Sequence, residues 1–497
     1  MKRLLISFLA LLTTATLAIA GPPITLVLGP DAPDVERLAA DELARQLQAL
    51  FQADVQVADK RPAEAKNLIL LGNPATNPAI RAVVGDGWPK LSERGHLLRT
   101  VEVAGQPALI LGGSSPRGTF FAASELAYRF GIRSFLHGDL LPHPAPNFHL
   151  DGFNLVIDAK QGLPAWVISD ADPSEYAGWG QQDLSLLFLQ LAKLKFEDLI
   201  VHLAKEPSPT FRTDGDTAGR RAFRGVKRFE NPDLAGIPEA DRQAGRERWA
   251  KEVVAAAAKF GMTATIRRDL PPETRKVPGV LPRFPQFPVT GVIPSRLPGE
   301  LSVSTLLLSR GEPATSHLQA LLQPIYGETA PPRIAKGLEQ IAAAGKLLAD
   351  NEPQLDTLRP GMIDPWLSGT EPPPVWWKTA AGLYTEAMNE MYRGIRASYN
   401  DPARPALLYH AKRCEFALHF LNAAESVRLA AVARSKADRP GQIEQLEKAV
   451  ESMYNALSAL GDVARDPSDR GTIAALNEYA YRPLKAALEQ ADKATRD

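Results

Sequence analysis

The sequence predicts an α/β protein with an all-α C-terminal part: a small N-terminal α/β sandwich, an incomplete (β/α) barrel-like middle and a C-terminal helical bundle. Three observations point there. Apolar strands alternate with amphipathic helices over the first third. Strand–helix–strand steps recur up to about residue 266 and then stop at a proline-rich run, and the last third repeats apolar residues at spacings of three and four. The corresponding divisions are 1–20, 21–150, 151–310 and 311–497.

Residues 1–20 are expected to be a secretory signal peptide. Lys2 and Arg3 form a charged start, Leu4 to Ile19 is mostly apolar, and Ala18-Ile19-Ala20 is a small-x-small cleavage site. The stretch is short for a spanning helix, so a secreted or periplasmic protein without a membrane span is expected. The 497 residues suffice for about three domains. Hydrophobic content of 45% and charged content of 23% are those of an ordinary globular chain. The 57 basic and 57 acidic residues cancel, which argues against nucleic acid as a partner. Cys414 is the single cysteine, so no internal disulfide forms. It shares a helical face with Leu407, Ala411, Leu418 and Leu421, as a buried structural thiol does. No cysteine cluster of zinc type exists, and neither metal nor cofactor is expected.

In the first unit, Ile24 to Leu28 reads as a strand. A helix follows with Leu38, Leu43, Leu47 and Leu50 on one face and Asp31 or Asp34 as its cap. Asn67 to Gly72 and Pro107 to Gly113 are apolar strands ending in glycine, Ser114 to Phe130 is a turn and helix, and Gly131 to Leu136 is a last strand. Gly112-Gly113-Ser114-Ser115 lacks the lysine and spacing of a P-loop, so a tight turn into a packed helix is favoured over an anion site.

In the middle, Pro164 to Ile168 reads as a strand. Gly180 to Lys195 is a helix with Leu184, Leu187, Leu191 and Leu194 on one face, and Asp198 to Leu203 is a buried strand. Trp249 to Phe260 is a helix and Gly261 to Ile266 a third strand, all suited to parallel pairing. From Leu270 to Pro298 proline recurs every few residues, which suits neither ladder nor helix interior. One further strand is expected at Leu301 to Leu308. Three or four strands cannot close an eight-stranded barrel of about 250 residues. An open sheet is expected, covered by the proline-rich segment, by a partner or by a second copy.

The last unit carries Ile443, Leu446, Val450, Met453, Leu457 and Leu460 as one apolar stripe. Asp466 before Pro467 starts a helix, and Pro483 is expected to kink or end it. Trp366, Trp376, Trp377 and Tyr384 suit a packed core, with a sugar platform as the alternative.

The run Leu109-Ile-Leu-Gly-Gly-Ser-Ser-Pro-Arg-Gly118, the helix Ala122 to Arg129, the strand Gly131 to Leu136 and the exit Gly138-Asp-Leu-Leu-Pro142 resemble the N-terminal domain of bacterial α-glucuronidases and β-N-acetylhexosaminidases. Leu191-Ala-Lys-Leu-Lys-Phe196 is similar to the segment that leads into the second barrel strand of such glycosidases. Pro324-Ile-Tyr-Gly-Glu328 and Thr472 to Tyr481 resemble their helical tail. The resemblance implies a carbohydrate ligand. The acid/base carboxylates of these families come mostly from mid-barrel strands, which have no counterpart here.

Glycoside hydrolysis uses two carboxylates about 5 Å apart for retention or roughly 6.5–9.5 Å for inversion. The candidates at strand ends are Asp170 and Asp172, Glu206, and Asp269. Each has a plainer role: Asp172 and Glu206 precede prolines in turns, and Asp269 follows Arg267 and Arg268 as a surface ion pair would. No Asp-Glu dipeptide, as acetamido-assisted hydrolysis needs, occurs in the middle. Trp179, Arg220 and Arg267 are candidate substrate-binding residues, the arginines for a carboxylated sugar. The loop around Arg220 also contains Asp214-Gly-Asp216, which lacks the further oxygen ligands of a calcium loop. His202 sits in an apolar strand and suits a satisfied core position better than a base. Two functions remain: a glycoside-hydrolase-like protein acting on or binding sugars that contain uronic acid or N-acetylhexosamine, or a non-catalytic glycan-binding or scaffolding relative.

Overall fold

The computed structural model describes residues 21–158, 165–170, 179–204, 239–269, 314–352 and 361–496. The first sheet collects β1 (Pro23–Val27), β2 (Asp54–Ala58), β3 (Leu68–Leu71), β4 (His96–Val103), β5 (Gln106–Gly113) and β8 (Asn154–Ile157). Its order is β2-β1-β3-β5-β4-β8, parallel from β2 to β5 and antiparallel for β4 and β8. The short strands β6 (Arg133–Phe135) and β7 (Gly138–Leu140) form a separate ribbon.

Alternation along the strands builds two cores. Ile24, Leu26, Ile69, Leu71, Leu109 and Leu111 face α1 (Asp34–Phe51) and α3 (Pro116–Arg129). Val27, Leu68, Leu70 and Ile110 face the other way, where α2 (Pro78–Val84) brings Ile80. Asn77 caps α2 by accepting from Ala79 N at 2.9 Å, and its amide donates to the carbonyls of Val27 and Leu71, tying two strand ends together. Neither Asp31 nor Asp34 caps α1: Pro33 stands at the cap, and Asp34 and Glu36 lie in the first turn, where the helix dipole favours acids.

The second sheet contains β9 (Trp166–Ser169), β10 (Asp198–His202) and β11 (Thr263–Arg267), parallel in the order β11-β10-β9. The connections carry α4 (Gln181–Lys193) and α5 (Glu239–Ala258). Trp166, Ile168, Leu199 and Val201 pack with Phe188, Leu191, Trp249 and Val253 from these helices. Three strands are present among the described residues; the proline-rich run and the strand expected at 301–308 lie outside them.

The segment joining α4 to β10 locks this sheet to the first unit. Lys193 pairs with Asp139 at 3.0 Å and with Glu42. Lys195 donates to Glu125 at 2.9 Å and to His96 Nε2 at 3.3 Å. Glu197 meets Arg94 and, at 3.6 Å, Arg117. Lys193, Lys195 and Glu197, alternate residues of one short stretch, thus each supply ionic contacts to the first unit, and Lys195 adopts φ +65°. His96 Nδ1 lies 3.1 Å from the Arg94 carbonyl, so Nδ1 carries the hydrogen and Nε2 accepts from Lys195. Burial, helped by the Lys195 charge, lowers the His96 pKa to about 4.

The remaining described elements are helical: α6 (Ala314–Tyr326), α7 (Ala330–Asn351), α8 (Asp364–Ser368), α9 (Val375–Ala397), α10 (Arg404–Ser435), α11 (Arg439–Gly461), α12 (Pro467–Leu476) and α13 (Arg482–Arg496). Trp366, Trp377 and Tyr384 are fully packed with Phe416, Phe420 and Met453 in the bundle core. Cys414 is buried beside Leu407, Ala411 and Met391, and burial pushes its thiol pKa up to about 12, so it is unreactive. The helix begun at Pro467 is interrupted ahead of Pro483, as expected: it ends at Leu476. Pro483 stands in the first turn of α13, after a π turn over Asn477–Tyr481.

Several polar contacts tie the bundle to the first unit. Arg133 Nε donates to the Leu321 carbonyl at 2.8 Å, and Asn400 bridges the carbonyls of Leu141 and Ile325, both at 2.9 Å. His137, in the β6–β7 turn, meets Asp466 at 2.7 Å.

Candidate functional site

Parallel strands bring their C-terminal ends to one edge, where the side chains that follow each strand gather. In the second sheet that edge carries Ser169 and Asp170 from β9, His202 from β10 and Arg267 from β11. Register places Ser169 opposite His202 and His202 opposite Arg267, so the three share one face of the sheet in a row. This face is opposite to the one that α4 and α5 cover. Ser169 Oγ and His202 Nδ1 are 2.9 Å apart. Thus His202, although within an apolar strand, is half-buried and held at the strand end by a polar partner.

Asp170 is fully buried. One oxygen accepts from Ala204 N at 2.7 Å and the other from Arg246 Nε at 2.7 Å. Arg246 also donates to the Ala204 carbonyl and to Gln243 at 3.0 Å. The carboxylate therefore joins the ends of β9 and β10 to α5, with both oxygens engaged. A group that protonates a glycosidic oxygen has to reach the sugar. Asp170, sealed in this way, does not serve as such an acid.

Asp269 and Arg267 are both exposed at the opposite end of the row. Arg268 pairs with Glu247 of α5, leaving Arg267 to face outward. Asp170 and Asp269 thus lie two strands apart on the same edge, one sealed and one open, and do not face each other as a pair. Asp172, Glu206 and Arg220 lie outside the described residues. Trp179, expected as a sugar contact, is only 8% exposed and packs with Trp166 and Phe188 under the helices. Its indole fills the apolar space at the start of α4. A hollow of about 560 Å³ along α5, lined by Glu247, Arg248, Lys251 and Glu252, opens outward from that helix.

The glycine turn after β5 is packed rather than open. A side chain at Gly112 would strike Trp88 and the Gly72 carbonyl, and one at Gly113 would strike the backbone of Gly118. Ser115 spends its hydroxyl oxygen on capping α3 at Gly118 N, 3.0 Å away. Nearby, the buried Glu36 bonds Thr76 and Thr119, and its acidity is weakened by burial. Among the described residues no group of three or more His, Cys, Asp or Glu side chains is arranged to hold a metal, and no helix is long and apolar enough to cross a membrane.

Sequence reasoning located the strand ends but missed Arg246 and Ser169. Arg246 meets Asp170 across 76 positions, a separation that leaves no local signature. Ser169 offered one: it follows an apolar strand directly, as His202 ends another.

The fold is glycoside hydrolase-like, mixed α/β in its N-terminal region and mostly helical in its C-terminal part. Residues 19–126 match the glycosyl hydrolase family 67 N-terminus, less than a quarter of the chain. No curated protein matches the chain in sequence. Among solved structures, the chain is similar to a family GH115 4-O-methyl-α-glucuronidase with specificity for decorated arabinogalactans. The TM-score is 0.54 at 13% identity, over 94% of this chain and 79% of that one. Against a GH138 enzyme targeting pectin rhamnogalacturonan II the TM-score is 0.41 at 8% identity, over 95% of this chain and 99% of that one, too loose to add to the comparison.

Proposed function

We propose that this chain is a secreted or periplasmic glycosidase-like protein that binds an acidic sugar at the C-terminal edge of the second sheet. We read that sheet as the opening of a (β/α) barrel left incomplete. The observation that carries the proposal is the row Ser169–His202–Arg267, in which a buried hydroxyl holds a half-buried imidazole beside an exposed guanidinium on one sheet face. A guanidinium recognises a carboxylate through two parallel hydrogen bonds, and an imidazole oriented by a hydroxyl suits a sugar hydroxyl. A uronic acid is therefore the favoured ligand over a neutral N-acetylhexosamine. The activity named for the GH115 structure is in keeping with that choice, at the level of fold alone.

Binding without hydrolysis is the favoured form, because Asp170 is consumed in its ion pair and Asp269 has no opposed carboxylate among the described residues. The hydrolytic reading retains Asp172 and Glu206, which follow the same two strand ends in sequence. The test has two arms. Calorimetric titration with a glucuronic-acid-bearing oligosaccharide is expected to show binding that Arg267→Ala and His202→Ala each weaken about tenfold. Incubation with aryl glycosides of glucuronic acid and N-acetylglucosamine is expected to show no turnover. Turnover abolished by Glu206→Gln establishes the hydrolytic reading instead, and absence of sugar binding by the unmodified chain refutes both.

A further inference from the structure

We infer that Tyr454 and Tyr481 form a second sugar-contact subsite on the outside of the helical bundle, suited to an acidic oligosaccharide. It rests on the carbohydrate reading above but uses none of the same residues. Tyr454, on α11, is 58% exposed, so most of its ring is open to a ligand. Its neighbour Tyr481 is half-buried and packs against the bundle core, which holds its ring in place. The ring centroids are 6.4 Å apart with a tilt of 46°, so the two rings form the walls of a shallow V rather than a closed stack. Among the described residues, no protein partner takes up either hydroxyl.

The backbone departs from regularity to produce this arrangement. Tyr481 is the last residue of the π turn over Asn477–Tyr481, between α12 and α13. Such a turn widens the helix and shifts the following side chains around its axis, and π turns occur mostly as single-turn insertions at functional positions. Here the shift sets Tyr481 beside Tyr454. Tyrosine pairs an apolar face for the C–H face of a sugar ring with a polar tip for its hydroxyls, and it loses little rotamer freedom on contact. The rim adds charge. Lys485 is exposed, with Nζ 5.9 Å from the Tyr481 ring centroid, whereas Arg482 is already paired with Glu478 at 3.1 Å. Lys485 is therefore the cation available to a sugar carboxylate.

The test is titration of the full chain with a glucuronic-acid-bearing oligosaccharide and with the same oligosaccharide lacking the acid. Tyr454→Ala replaces an exposed side chain, so the fold is retained, which circular dichroism checks. It is expected to weaken binding of both oligosaccharides at least about fivefold, as loss of an aromatic contact residue does. Lys485→Ala is expected to weaken only the acidic one. Tyr481→Phe keeps the packing and loses the hydroxyl, and a smaller loss is expected. Unchanged affinity in Tyr454→Ala, with loss in Arg267→Ala, overturns this subsite and leaves the sheet-edge site standing. Loss in Tyr454→Ala with none in Arg267→Ala overturns the sheet-edge site instead. No binding by the unmodified chain overturns both.

Discussion

Asp170 Oδ2 and Arg246 Nε lie 2.7 Å apart in an ion pair that solvent does not reach. The pair joins the end of the first strand of the second sheet to the helix before the third, at a strand end where barrel folds place functional groups. Charge removed from water is costly, and the pair is tolerated because each remaining polar atom has a partner. Arg246→Met leaves a buried carboxylate with one hydrogen bond and is expected to lower stability by about 3 kcal/mol. Urea denaturation measures it. A loss below about 0.5 kcal/mol would mean that Asp170 is solvated and available for chemistry, since surface substitutions fall in that range.

Lys195 and Glu125 make the equivalent contact between the first unit and the second sheet. Burial lowers the pKa of Lys195 while Glu125 opposes that effect. Lys195→Met is expected to cost about 3 kcal/mol. It also frees the α4–β10 connection from its anchor. Hydrogen exchange in peptides covering Asp198–His202 is expected to accelerate more than in those covering Leu68–Leu71, because the first sheet keeps its own two cores. Equal acceleration in both would contradict a local lock.

His96 gives the lock a pH dependence. Its folded pKa of about 4 lies below the ordinary 6.5, so the unfolded chain binds a proton in this interval that the folded chain refuses. The contribution is complete above pH 6.5 and is lost as pH falls towards 4. As pH falls across that window, the unfolding free energy from urea denaturation is expected to fall by up to about 1.4 kcal/mol per pH unit from this one group. His96→Gln retains an acceptor for Lys195 and cannot titrate, so its profile is expected to be flatter between those limits. A profile parallel to that of the unmodified chain would show that His96 titrates normally.

The glycine turn after β5 separates packing from anion binding. Gly113→Ala drives a methyl group into the Gly118 backbone, and overpacking of this kind costs about 1–3 kcal/mol. Added inorganic phosphate is expected to leave the thermal midpoint of the unmodified chain unchanged apart from the general salt effect. A saturable rise that Gly113→Ala abolishes would indicate an anion site.

Much of this architecture is legible in the sequence wherever a periodic apolar face packs against a neighbour. Leu184, Leu187 and Leu191 announce α4, and the stripe from Leu446 to Leu460 announces α11, because burial imposes the helical period on them. β8 was not legible: four residues at a sheet edge, half of them exposed, carry little pattern, so the first sheet extends beyond the expected boundary at 150. The candidate site was legible as positions and not as roles. Asp170 does stand at a strand end, but what it does there depends on Arg246, and a contact between distant residues has no signature in either one. Trp179 shows the same limit, since an indole suits a sugar platform and a core equally until its neighbours are known.

The central claim is that the C-terminal edge of the second sheet is where this protein meets a sugar. Hydrogen–deuterium exchange with and without a glucuronic-acid-bearing oligosaccharide tests it most directly. The account predicts protection in peptides containing Ser169–Asp170, His202–Ala204 and Arg267–Asp269 together, and loss of that protection in Arg267→Ala. Saturable binding that leaves all three strand ends unprotected would contradict it.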